Sequence, residues 1–292
     1  MNKTKKVKKN SEFTEVWSRL RKNRRAMICL VICLIIFLLA VFADVLFDYD
    51  EMVVKQNVRE KMEGFSWAHP LGTDQVGRDM LARIVHGTRT ALLMGFGGVL
   101  LSVIVAIPIA CAAAFFGGKT DIVIMWFSDV LNTVPQLVLA LAVCAGLGNG
   151  LWQLVVALSV GGIAPFIRLI RSQALTVTGM EYIEAGKAMG ASTIRIIFKY
   201  ILPNTMSVIL VQASANISHY ILMGATLSFI GLGVKAPMPE WGCMLSEGLS
   251  YYQFFPRLVV VPGVAILITS LVIATLGDCL RDAFDPMLKG KA

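Results

Sequence analysis

The sequence has little charge for its length: Asp, Glu, Lys and Arg make up 16% of 292 residues, against 56% hydrophobic residues. A soluble domain of this size needs far more polar surface, so the composition excludes water as the main solvent. Also missing is the period-two alternation that the strands of an outer-membrane barrel require. The apolar residues instead form runs near the ~20 needed to cross a ~30 Å hydrocarbon core, which leaves helices as the spanning element. There is no His-Glu-x-x-His and no aspartate pair within an apolar run, which argues against an intramembrane protease. Ser218 and His219 are sequence neighbours whose side chains point apart on a helix. The six cysteines, Cys29, Cys33, Cys111, Cys144, Cys243 and Cys279, form no Cys-x-x-Cys pair. They read as small packing residues, with neither a disulfide framework nor a metal cage expected.

The charge that is present is placed unevenly. Residues 1–25 hold Lys3, Lys5, Lys6, Lys8, Lys9, Arg19, Arg21, Lys22, Arg24 and Arg25 against Glu12 and Glu15. Such a block before an apolar run orients a first span from inside to outside and suits anionic headgroups, so nucleic acid is not the expected partner. The run at 26–47 is long and lacks a small-x-small cleavage site, so an uncleaved anchor is preferred to a signal peptide.

The organisation that follows is a cytoplasmic segment 1–25, a first span 26–47, an extracytoplasmic segment 48–90, a five-helix core 91–280 and a cytoplasmic tail 281–292. Further spans are expected near 91–116, 122–147, 151–170, 206–232 and 258–276, making about six, with both ends in the cytoplasm. Gly77 to Arg89 reads as an amphipathic helix at the membrane surface, with Asp79 and Arg83 as an i,i+4 pair and Thr73 or Asp74 as its cap. Pro108, Pro135 and Pro165 are expected to bend their spans.

The inside segment 171–203 is long and structured. Thr178 with Glu181 fits a capping box, and Glu184 lies in the same early part of that helix. Gly190 is placed to end that helix in a left-handed conformation. Ser192 can cap a second helix that Pro203 limits. Read bottom-up, this is either a docked surface helix or a functional loop.

Glu184-Ala185-Gly186, then Gly190, then Tyr200-Ile201-Leu202-Pro203 resembles the EAA loop of the permease subunits of binding-protein-dependent ABC importers. The family pattern has Ala where Gly186 stands and Ile where Tyr200 stands. Further segments are similar to the dipeptide/oligopeptide/nickel branch: His69 to Asp79, including Gly72, Thr73, Asp74, Gly77, Arg78 and Asp79, with Arg83 one turn on; Leu227 to Gly233; Pro239-Glu240-Trp241-Gly242; and Gly277 to Asp282.

The resemblance implies an all-α type I importer permease fold in a bacterial or archaeal plasma membrane. It implies a second permease subunit, two cytoplasmic ATPase subunits and an extracytoplasmic substrate-binding protein as partners, with membrane lipid around them. Glu181, Glu184, Ala185, Gly186, Gly190, Leu202 and Pro203 would couple to the ATPases. ATP and Mg would be used by those partners, and no cofactor by this chain. Gly118-Lys119-Thr120 mimics the end of a phosphate loop, but Ala113 stands at the upstream glycine position and an apolar run precedes it.

Asp129, Asn132, Gln212, Asn216 and His219 are polar positions in apolar spans and are candidates for a translocation path. The substrate expected is a di- or oligopeptide, with nickel or a metal chelate as the alternative. A channel or scaffold is the rival of another class, and it would not explain a loop built for ATPase docking.

Overall fold

The computed structural model describes residues 12–284, so the Lys3 to Lys9 part of the basic block and the end of the tail lie outside the described residues. The chain is helical: α1 (Glu12–Lys22), α2 (Arg24–Val41), α3 (Ala43–Leu46), α4 (Met80–Phe116), α5 (Gly118–Thr133), α6 (Gln136–Leu147), α7 (Leu151–Thr178), α8 (Glu181–Ala188), α9 (Thr193–Phe229), α10 (Trp241–Leu249) and α11 (Arg257–Phe284). Helices α2, α4, α7, α9 and α11 are each long and apolar enough to cross a membrane. The pair α5 and α6 makes a sixth crossing when taken as one broken span.

Several boundaries differ from those the sequence suggests. Residues 77–89 do not form a separate surface helix. Asp79 caps α4 by accepting from Ala82 N at 2.7 Å, and the helix then runs unbroken through a wide turn at Leu93–Gly97 to Phe116. Met80, Ala82, Val85 and Ala91 are buried, so this face packs on protein and not on headgroups. The third span is bent by 90° between Thr133 and Gln136. Pro135 supplies no N–H and holds Val134 extended, which ends α5 before α6 can begin. Pro108 and Pro165, by contrast, lie within continuous helices. Before the first span, Asn23 accepts from Arg25 N and Ala26 N and separates α1 from α2. Leu20 of α1 then packs with Ala26, Cys279 and Ala283 at the end of α11.

Lipid offers no hydrophobic drive between helices, so close approach and satisfied polar groups hold the bundle. Tyr220 of α9 is the central wedge. A Cβ at Gly98 would lie 2.6 Å from its ring, and one at Gly162 would lie 1.5 Å from its hydroxyl. The hydroxyl sits 3.0 Å from Ser102 Oγ, which in turn lies 3.0 Å from the Ser159 carbonyl. Two glycines thus admit one tyrosine, and two serines on α4 and α7 supply its polar surroundings.

Candidate functional site

Three features project from this bundle, and the first is the segment between α7 and α9. Helix α7 continues to Thr178, whose hydroxyl donates to its own Leu175 carbonyl at 2.9 Å. The capping box therefore does not form. Met180 occupies the cap position in extended backbone, without a side-chain acceptor. Glu181 and Glu184 still occupy the first turn of α8, where carboxylates suit the helix dipole.

The far end of α8 is closed by two backbone bonds. Gly190 N donates to Lys187 O and Ala191 N to Gly186 O, each at 3.0 Å, with Gly190 at φ +77°. This is a Schellman termination, which needs left-handed backbone at Gly190. Ser192 then accepts from Arg195 N at 3.4 Å and starts α9. Pro203 does not limit that helix. A wide turn at Ile197–Ile201 precedes it, and Asn204 Nδ2 donates to the Tyr200 carbonyl at 2.6 Å, so the chain passes through the proline.

Helix α8 is held from both sides. Ile183 is fully buried in the main core, Lys187 Nζ lies 4.9 Å over the Phe115 ring at the end of α4, and Tyr182 packs near Tyr200. Glu181, Glu184, Ala185 and Pro203 are exposed, Leu202 is half-buried, and Gly186 faces inward. Tyr182, Met189, Ile194 and Phe198 are exposed large apolar groups around them. A Cβ at Gly186 would meet no atom within 4 Å. Gly186→Ala is therefore expected to stabilise α8 by ~1 kcal/mol, seen as slower amide exchange over 181–190 with transport retained.

The second feature is a polar cap at the opposite end, built from the segment between α3 and α4 and from α10. Asp74 is buried. Its Oδ1 accepts from Val76 N and Arg78 N at 2.9 Å, and its Oδ2 accepts from Arg78 Nε and Arg83 Nη1 at 2.6 Å. Glu247 accepts from the same two arginines at 3.1 Å and from Gln75 at 3.0 Å. The expected Asp79–Arg83 pair is replaced: Asp79 bonds His69 Nδ1 at 2.7 Å, while Arg83 reaches Asp74. The reason is that Asp79 caps its own helix, which turns its carboxylate away from the Arg83 face.

Thr73 accepts from Glu63 N at 2.8 Å, and Gly72 and Gly77 both have positive φ. A Cβ at Gly77 would lie 1.8 Å from the Asn57 carbonyl oxygen, so only glycine fits. Arg257 at the start of α11 donates to the Met62 and Glu63 carbonyls at 2.6 Å.

Helix α10 is capped by the fully buried Glu240, which accepts from Gly242 N and Cys243 N. Burial pushes the Glu240 carboxyl up, against the opposing pull of those two N–H groups. Burial and the adjacent Glu240 push the Cys243 thiol up to about 12, which keeps it protonated and inert. Trp241 donates to the Ile84 carbonyl at 3.0 Å and ties α10 to α4.

The third feature is a polar face shared by α5, α7 and α9. Asn132, Arg168, Ser172 and Gln212 line a cleft of about 430 Å³ with Pro165 and Leu169. Asp129 joins it by an ion pair with Arg168. Asn216 Nδ2 donates to the Gln212 carbonyl at 2.8 Å, and His219 Nε2 lies 3.1 Å from Gln136 Oε1. Arg168, Glu247 and Arg257 escape a reading of motifs alone, although an arginine inside an apolar span is itself the signal that finds Arg168.

The chain is thus a bundle of helices long and apolar enough to cross a membrane, with a braced surface helix at one end and an ion-paired polar cap at the other. Residues 98–290 match the family model for the binding-protein-dependent transport system inner membrane component, and residues 11–63 match that for the N-terminal TM domain of oligopeptide transport permease C. The chain belongs to the family of binding-protein-dependent transport system inner membrane components.

It is 37% identical over 279 residues to the dipeptide transport system permease protein DppC of Alkalihalophilus pseudofirmus, covering 96% of this chain and 91% of that one. It is 39% identical to the glutathione transport system permease protein GsiD of Pectobacterium atrosepticum, covering 95% and 92%. With the oligopeptide permease OppC of Bacillus subtilis the identity is 34%, covering 96% and 91%. Among solved structures, a chain of an inward-facing MetNI methionine ABC transporter matches with a TM-score of 0.56 at 19% identity, covering 70% of this chain and 97% of that chain, which supports the fold alone.

Proposed function

We propose that this chain carries di- or oligopeptides across the membrane, driven by ATP that other subunits hydrolyse. The observation that carries the reading is α8: a short helix with a buried anchor at Ile183, a Schellman end at Gly190 and exposed carboxylates and apolar groups on its outer side. A lever must keep its shape while it is pushed, and α8 is braced against α4 and α9.

In this reading α8 faces the cytoplasm and sits against one of two ATPase subunits, which bind the ATP and Mg. Both termini then lie on the same cytoplasmic side. A second permease subunit faces the polar side of α5, α7 and α9 across the translocation path, and an extracytoplasmic binding protein delivers substrate at the cap. Transport is alternating access, with ATPase closure biasing the permease pair outward. Asp129, Asn132, Gln212, Asn216 and His219 fall along that polar face, which supports their place on the path.

Peptide is favoured as cargo because DppC and OppC relatives are named for it. A nickel cargo is less favoured: His219 is the histidine on this face, and its neighbour is the amide of Gln136. The test is affinity purification of the tagged chain from native membranes with mass spectrometry of what accompanies it. Recovery of a second multispan permease and ATPase subunits supports the reading. Repeated recovery of the chain alone, in mild detergent with nucleotide, contradicts it.

A further inference from the structure

We infer that Asp129 and Arg168 form a station for the charged termini of a peptide in transit, Arg168 taking the carboxylate and Asp129 the ammonium. The inference rests on the peptide reading above and adds the groups that would meet the cargo within the membrane.

Depth is the first argument. Arg168 precedes the end of α7 at Thr178, and Asp129 follows the start of α5 at Gly118. At ~1.5 Å per residue both lie about 15 Å from the ends of their helices on the side that carries α8. Arg168 lies about 25 Å from the start of α7 at Leu151, which puts the pair in the α8-side part of a ~30 Å core. Their side chains are nevertheless 55% and 58% exposed. Charges at that depth do not face hydrocarbon; they face water or protein.

Spare valence is the second argument. One turn further towards α8, Arg171 uses both Nε and Nη2 on the two oxygens of Asp121, and that pair is mostly covered. Arg168 uses Nη2 alone, on Asp129 Oδ1 alone. Among the described residues its other donors and Asp129 Oδ2 make no hydrogen bond. The Asp121 pair is closed on itself, whereas the Asp129 pair has room for a second partner on each side.

The surroundings suit a small zwitterion. The cleft beside Arg168 is about 430 Å³, within the range of small-ligand sites. Asn132, Ser172 and Gln212 offer amide and hydroxyl groups to a peptide bond, and Pro165 and Leu169 give an apolar wall. When a peptide enters, its carboxylate can replace Asp129 on the guanidinium fork while its ammonium replaces Arg168 on the carboxylate. Each charge keeps a counter-ion throughout, so neither is left unpaired within the span.

The test uses the assembled transporter in detergent without its binding protein, which removes that protein's own selectivity. Ser172→Cys places a thiol in the cleft, and its modification by a charged aqueous thiol reagent is timed. Dialanine is expected to slow modification roughly fivefold or more when saturating, whereas N-acetyl-dialanine amide leaves the rate unchanged. Protection by dialanine is expected to vanish in Asp129→Asn and in Arg168→Gln backgrounds.

Equal protection by free and blocked dipeptide overturns the inference, as does protection that survives both substitutions. A thiol that never reacts also overturns it, because the cleft is then closed by the second subunit. If any of these occurs while the wild-type transporter imports dialanine, the station fails and the peptide reading stands. If the wild-type transporter imports no peptide, the peptide reading has failed with it.

Discussion

Gly190→Pro is expected to lower substrate uptake by roughly 5–150-fold, the range of a typical coupling free energy, while leaving the chain inserted in the membrane. Gly190 holds φ at +77°, and its N–H closes α8 on Lys187 O. Proline fixes φ near −65° and has no N–H, so both the turn and the bond are lost. Helix α8 then enters the Ala191–Ser192 turn at the wrong angle, and motion of a docked ATPase is no longer passed to α9.

Gly190→Ala is the graded control. Its Cβ would meet no atom within 4 Å, so the cost is the left-handed backbone alone, about 1–2 kcal/mol. The readout is uptake in proteoliposomes beside ATPase activity stimulated by the liganded binding protein. The account expects basal hydrolysis to persist and stimulation to disappear in the proline variant. Normal uptake by Gly190→Pro would sink the lever assignment.

Asp74→Ala is expected to destabilise the folded chain by about 3–5 kcal/mol, the usual result of removing one partner from a buried charge network. Asp74 neutralises Arg78 and Arg83 and also accepts from two backbone N–H groups. Its loss leaves two buried guanidinium groups sharing Glu247, a carboxylate that is itself a quarter exposed. Arg83 Nε already lacks a partner, so there is no spare acceptor to take up the slack. A lower thermal midpoint in detergent and new protease cuts in residues 48–79 are the expected signs. A midpoint within experimental scatter of the wild type would mean that the cap draws little from this network.

The elements legible in sequence were those governed by local chemistry. The apolar runs gave the spans, Gly190 announced a left-handed helix end, and Ser192 announced a cap. The misreadings came from long-range geometry. Gly77 to Arg89 has the amphipathic pattern of a surface helix, yet its apolar face is buried by α2 and α10, elements distant in sequence. Thr178 looks like a capping residue, but it is the last residue of α7, which uses its hydroxyl within the helix. Pro203 looks like a stop, yet the wide turn at Ile197–Ile201 carries the helix past it.

In the cap, the motif residues were found but their partners were not. Glu247 reaches Arg78 and Arg83 from 164 or more positions away, and no local pattern predicts such a pairing. Arg168 is the opposite case, since a charge inside the apolar run 151–170 marks itself by its cost without belonging to any motif.

The most direct test of the account is labelled-peptide accumulation in proteoliposomes that hold this chain, its partner permease, the ATPases and the binding protein. The account predicts uptake that requires ATP hydrolysis and stops when either this chain or the ATPases are left out. Peptide that equilibrates without ATP, or with the ATPases absent, would instead mark the chain as a passive channel and contradict the coupling role of α8.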